Sequence, residues 1–267
     1  MDATKPKMTA YMSIPEYVPN GYNNFALIKF FSEKDQRDYF LSGKLYMRPQ
    51  TDFALEEMGK GRGDMTEGAD IAIFQNNENT YPVISYEERN GEFYIKVQEL
   101  SEKPAGYKDN QFFISYPVEN QKRNIFCLYT LWIDSNRMEI MPIEKKVVKE
   151  FGQYGVIIPD VNAFLTRVGM AINNNPTITT ARCAFVRYLA EENMRNVMRY
   201  NPFLKRAKDY REQNEFRICV DTNNTELLEL QVDGDFNDIA FPIRLDEFVK
   251  TASYNDGMLR FRIDKEV

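Results

Sequence analysis

Two kinds of apolar pattern alternate along the chain. Runs that are continuously apolar, or apolar at every second residue, read as strands. Stretches with apolar residues three and four apart read as helices. FALIKFF (25–31) is the first strand-like run. SEKDQRDYFLSG (32–43) follows as a short helix, with Ser32 expected as N-cap, Asp35 at the third helical position and Gly43 closing its end. KLYMRP (44–49) is a second strand, stopped by Pro49. The chain thus opens as strand, helix, glycine, strand.

TDFALEEMGKGRGDMTEGAD (51–70) has no period and reads as a long loop. Two alternating runs around Asn90-Gly91 predict a hairpin over 81–100. QFFISYPV (111–118) and NIFCLYTLWI (124–133) are further strands, the second apolar throughout and so expected at the centre of a sheet. Helices are predicted over 143–152, over 160–172 with Asp160 as N-cap, across 191–214 with Pro202 as a break, and over 245–252. Strands are predicted at 154–160, 181–189, 215–221, 226–232 and 258–263. This order predicts an α+β protein with a twisted, mixed, mainly antiparallel sheet flanked by helices. Residues 1–22 show no period and are expected to form an N-terminal arm; 23–267 are expected to form a single domain.

Composition narrows the chemistry. Hydrophobic residues make up 43% of the 267, enough for a sizeable core, and charged residues 28%, evenly dispersed. No apolar run approaches the length of a membrane span and no apolar leader opens the chain, so a cytoplasmic protein with no membrane partner is expected. Cys127, Cys183 and Cys219 each lie in an apolar run without a C-x-x-C pair, which suggests buried, reduced thiols. The chain has no histidine. Ser-His-Asp and Cys-His machinery and His-based zinc sites are thereby excluded. Catalysis would have to use carboxylates, Tyr, Lys, Arg, hydroxyls or amides.

The net charge of −6 argues against a general nucleic-acid coat. Locally the balance reverses: Arg182–Arg217 holds nine Lys/Arg against five Asp/Glu, interleaved with aromatics. That segment is either a surface for nucleic acid or a set of solvated basic faces. A protein partner is equally open.

Four groups of residues invite a functional reading. Gln213 and Glu215 sit two apart where a helix is expected to give way to a strand, so their side chains would share a face. They either line a cleft or sit at a solvent rim, paired with an arginine such as Arg211. Arg62, Asp64 and Glu67 lie among Gly61, Gly63 and Gly68. That loop could bind a polar ligand or a hard cation, or be a solvated turn. Lys29 falls on the same face as Phe25 and Leu27, which places it in a cleft or on an edge strand with its amine in water. Tyr129 is a core tyrosine or a stacking surface for a ring.

IKFF (28–31), GKLYMRP (43–49), RGDMTEG (62–68), IFCLY (125–129) and QNEFRI (213–218), taken in order, resemble a broad set of uncharacterised bacterial and phage-linked proteins. The same order is similar to the ADP-ribosyltransferase fold, particularly the DarT-type toxins that modify DNA. The resemblance covers most of the chain through short motifs. It implies NAD as cofactor, Glu215 as the catalytic glutamate and Gln213 as the residue that orients the acceptor. Lys29 or Phe30 stands where that fold keeps its first-strand NAD contact, and Arg48 and Tyr129 would complete the cofactor site. Arg62, Asp64 and Glu67, with Arg187 and Arg211 of the basic segment, would meet the acceptor. The chain departs from the pattern in having no histidine and no arginine on its first strand.

Three functions follow as expectations. The first is an NAD-dependent ADP-ribosyltransferase acting on nucleic acid or protein in a bacterial toxin, antiphage or phage-encoded setting. Cleaving the nicotinamide–ribose bond builds positive charge on the ribose, which a fixed carboxylate can stabilise without histidine. The second is a non-enzymatic protein that sequesters a nucleotide signal or blocks a partner. The third is a metal-dependent nuclease built on Asp64 and Glu67, which lacks the lysine of the familiar acidic nuclease pattern.

Overall fold

Ten strands of the chain join one sheet in the computed structural model, which describes residues 7–54, 71–73, 81–89, 92–102, 112–114, 122–189, 201–223 and 226–264. They are β1 (Met8–Tyr11), β2 (Tyr22–Phe31), β3 (Lys44–Pro49), β4 (Arg123–Asp134), β5 (Glu139–Ile140), β6 (Tyr154–Ile158), β7 (Ile178–Phe185), β8 (Glu215–Thr222), β9 (Leu228–Gln231) and β10 (Phe241–Arg244). The spatial order is β1-β7-β8-β4-β2-β6-β10. Every neighbouring pair on this path is antiparallel except β1 with β7. β3 pairs with β9 and with the start of β4, and β5 pairs with the end of β4. The class is therefore α+β with a large mixed sheet, as the alternation of patterns predicts.

β4 reads as an unbroken apolar run because both of its faces are covered. On one face Phe126, Leu128 and Trp132 join Leu27, Phe216, Ile218 and Val220 under helices α1 (Lys34–Leu41) and α3 (Val161–Asn174). On the other, Tyr129 and Leu131 join Ala26, Ile28 and Ile157 under α2 (Lys145–Phe151) and α5 (Leu245–Thr251). Each Phe, Leu or Ile so buried contributes roughly 1.5–3 kcal/mol. Asp160 caps α3 as expected, its carboxylate accepting from the Ala163 amide at 2.9 Å.

Several elements differ from the pattern-based expectation, each for a local reason. The N-cap of α1 is Glu33 rather than Ser32, and no side chain caps the helix. Within residues 1–22, Met8–Tyr11 take up the free edge of β7 as a parallel strand. Of the helix expected over 202–214, only α4 (Ala207–Tyr210) and a 3₁₀ turn, Arg211–Gln213, form. Leu204–Arg206 instead pair in parallel with Arg187–Leu189, which buries Leu204 and Lys205. Residues 191–200, also expected to be helical, lie outside the described residues. Met258–Arg260 do not join the large sheet. They fold back on Ser253–Asn255 through Asp256-Gly257, both at positive φ (53° and 74°), a type I′ hairpin signal that the sequence carries. The hairpin predicted over 81–100 forms as strands Tyr81–Arg89 and Glu92–Leu100. Among the described residues no helix is long and apolar enough to cross a membrane.

Candidate functional site

The sheet opens along one side of β4. β4 pairs with β2 only from Tyr129 onward, and with β3 only at Asn124 and Ile125. Among the described residues, Phe126, Cys127 and Leu128 thus have a strand neighbour, β8, on one side alone. Into this gap opens a cavity of about 200 Å³. Because it sits at a gap and not on a face, side chains from both faces of β2 line it: Lys29 and Phe31 from one, Ile28 and Phe30 from the other.

Lys29 fills part of the missing ladder. Its Nζ donates to the Cys127 carbonyl at 2.8 Å and lies 4.3 Å from the centre of the Phe126 ring. β2 is an interior strand, so the edge-strand reading of Lys29 does not hold. Across the gap, β3 alternates strictly: Leu45, Met47 and Pro49 are buried, whereas Tyr46 and Arg48 turn outward and line the cavity. Arg48 pairs with Asp52 at 3.1 Å, both partly exposed.

The floor is the start of β8. Glu215 stands opposite Tyr129 in the β8–β4 register, and Tyr129 opposite Ile28 in β4–β2. Gln213 and Glu215 do reach the same cavity, but not as neighbours on an extended strand. Gln213 ends a 3₁₀ turn and Asn214 is left-handed (φ 41°, ψ 48°). Asparagine tolerates that conformation better than other side-chain-bearing residues. The Asn214 carbonyl accepts from the Thr130 amide at 2.7 Å, which anchors the turn to β4.

Glu215 is buried and doubly paired. Lys205 Nζ lies 2.6 Å from Oε1 and Arg217 Nε 2.7 Å from Oε2. Lys205 also donates to Gln213 Oε1 at 3.1 Å and sits 4.7 Å from the Tyr210 ring centre. Arg217, fully buried, donates in addition to the Pro202 carbonyl. The Glu215 amide donates to the Tyr188 hydroxyl at 2.9 Å. Burial pushes the carboxyl toward protonation, but Arg217 and Lys205 outweigh it and hold its pKa at about 2, so it is ionised. Burial lifts Tyr129 to about 12 and Cys127 to about 11, so both are neutral near pH 7.

Charge at the cavity is lopsided. Among the described residues, Lys29, Arg48 and Lys205 line it against one carboxylate, Glu215. Phe30, Phe31, Tyr46, Phe53, Tyr129 and Phe151 supply rings, with Phe30 and Tyr129 centroids 5.4 Å apart. Such a wall can hold an anion beside a planar group.

Six of the residues singled out in the sequence meet here: Lys29, Phe30, Arg48, Tyr129, Gln213 and Glu215. Arg187 and Arg211 are exposed and do not line the cavity. Arg211 instead donates to the Tyr17 carbonyl at 3.0 Å, pinning the N-terminal segment behind the Glu215 cluster, where Tyr17 packs edge-on against Tyr188. Arg62, Asp64 and Glu67 lie outside the described residues. Sequence reasoning missed Lys205 and Arg217. Arg217 was within reach, being two residues from Glu215 on one strand face; Lys205 comes from a separate strand pair that no local pattern announces. No protein-family model, curated protein or solved structure matches this chain.

Proposed function

We propose that the protein binds a small anionic, ring-bearing ligand of the nucleotide class in the cavity between β2 and β3. One observation carries this reading: among the described residues, three cations and six aromatic rings line a cavity whose one carboxylate is already neutralised by Lys205 and Arg217. A phosphate would meet Lys29 and Arg48, and a base would lie against Phe30 and Tyr129. Isothermal titration calorimetry with AMP, ADP and NAD tests it. Binding of at least one of the three, lost in the Lys29→Met, Arg48→Met double variant, is expected. No heat from any of them at millimolar ligand overturns the reading.

A second reading is NAD-dependent ADP-ribosyl transfer on an ADP-ribosyltransferase-like fold. It is favoured by Glu215 heading an interior strand inside the cavity, with Gln213 two residues before it and Tyr129 opposite. In that reaction the ionised Glu215 would face the ribosyl cation and Gln213 would orient the acceptor. A nucleic-acid or protein acceptor would approach past the exposed Arg187 and Arg211. The two cations on Glu215 offset the charge that this chemistry needs, which ranks the reading second. Nicotinamide release from NAD, abolished by Glu215→Gln, would support it; no release with nucleic-acid and protein acceptors present would remove it.

A further inference from the structure

We propose that Glu215 is a stand-in anion, which occupies Lys205 while the cavity is empty and yields it to the anionic group of the ligand. This rests on the nucleotide-class reading above. Two cations contact one buried carboxylate. A buried ammonium without an anion is costly, so an empty cavity needs an internal partner for Lys205. The two cations differ in their access to the cavity, although Lys205 is also bonded to Gln213 and lies over the Tyr210 ring. Arg217 is fixed on two sides, by Glu215 and by the Pro202 carbonyl, and is fully buried beneath the cavity. Lys205 lines the cavity itself on a flexible four-carbon stem. When a phosphate enters, Lys205 can turn to it while Arg217 keeps Glu215 neutralised. No buried charge is stranded at any stage of the exchange. The consequence is that Glu215 competes with the ligand and sets a ceiling on affinity, so that a ligand with one weak negative charge does not displace it and a phosphate does.

The test is a calorimetric double-mutant cycle with ADP as the probe. Glu215→Gln is expected to bind ADP about tenfold tighter than wild type, and Lys205→Met about tenfold weaker. In the double variant the gain from Glu215→Gln vanishes, because it acts through Lys205; a merely structural role for either residue would not produce that coupling. Circular dichroism confirms that each variant is folded. A crystal structure of the wild-type protein with ADP gives a readout that no variant can spoil, with Lys205 Nζ expected on a phosphate oxygen and beyond hydrogen-bond reach of Glu215. If wild type binds ADP but Glu215→Gln binds it equally or more weakly, or Lys205 stays on Glu215 in the complex, the exchange is wrong and the nucleotide-class reading stands. If wild type binds none of AMP, ADP and NAD, both fall together.

Discussion

Lys29 Nζ donates to the main-chain carbonyl of Cys127 at 2.8 Å, on the side of β4 where neither β2 nor β3 pairs with it. One side chain thus does two things: it satisfies a carbonyl that the gap would leave unpaired, and it brings a cation to the cavity wall. Lys29→Met keeps the stem and removes both. A stability loss of about 1–3 kcal/mol is expected from the orphaned carbonyl, read as a shift in the urea midpoint. A loss of ligand affinity should accompany it. If stability and affinity are both unchanged, Lys29 serves neither role.

Glu215 predicts a pH dependence of definite sign. Its pKa is lowered in the fold to about 2 from an ordinary 4.5. A depressed acid stabilises the fold above its unfolded-state pKa, and the contribution is lost as pH falls through the folded-state value. The window is therefore pH 4.5 down to 2, and the contribution is on the order of 3 kcal/mol. Urea unfolding of wild type and Glu215→Gln at steps across that window should show a steeper acid loss in wild type. Asp221, also lowered in the fold, titrates in both proteins and cancels in the comparison. Parallel curves would mean that Glu215 is not held as the geometry requires.

The sheet and most of its strands were legible because each central strand buries an unbroken or alternating apolar set. β2, β3, β4, β6 and β8 all carry that signature, and α3 announces itself through Asp160. The cavity residues were legible for another reason: Lys29 and Glu215 are charged groups inside apolar strands, which demands a partner. What was hidden depends on chain segments meeting in space. The gap beside β4 arises from where β2 and β3 stop pairing, and Lys205 arrives on a three-residue strand whose local sequence favours a helix. The edge strand Met8–Tyr11 is mostly exposed and so has no apolar signature to read.

Gly152 holds the rim of the cavity. Its φ is 107°, and a Cβ there would lie 2.3 Å from the Phe31 carbonyl oxygen. That contact is with backbone at the end of β2, next to Ser32 and Phe31, which line the cavity. Neither partner can swing aside as a flexible side chain would. Gly152→Ala should destabilise the protein by more than 1 kcal/mol, from the strained φ alone. It should also weaken ligand binding by displacing Phe31. The paired readouts are thermal unfolding and calorimetry; wild-type values in both would show that the two backbones are further apart than described.

The C-terminal segment is tied down by a buried charge pair. Arg37 of α1 is fully buried and bonds both Asp38 and Asp264, the latter also buried. Breaking a buried pair from one side strands the other charge, at about 3–5 kcal/mol. Asp264→Asn keeps the shape but removes one of the charges on Arg37, which retains Asp38, and should lower stability by less than that. A variant with native stability would show that the remaining partners of Arg37, Asp38 among them, suffice for it.

Cys127 offers a reporter for the cavity. It lines the wall and is partly exposed, whereas Cys183 and Cys219 are buried. A thiol-specific reagent should therefore modify one cysteine of the native protein well ahead of the other two, and Cys127→Ser should abolish that fast reaction. Burial holds the Cys127 pKa at about 11, so at pH 8 only a small fraction is thiolate. The rate should then climb close to tenfold per pH unit from 7 to 9.5, where an ordinary thiol would already be levelling off. A ligand seated against Phe30 and Tyr129 covers the sulfur, so ADP should slow the reaction in proportion to its occupancy. Three thiols reacting together would report global opening instead of access through the cavity. A fast single reaction that ADP leaves untouched would place the nucleotide elsewhere.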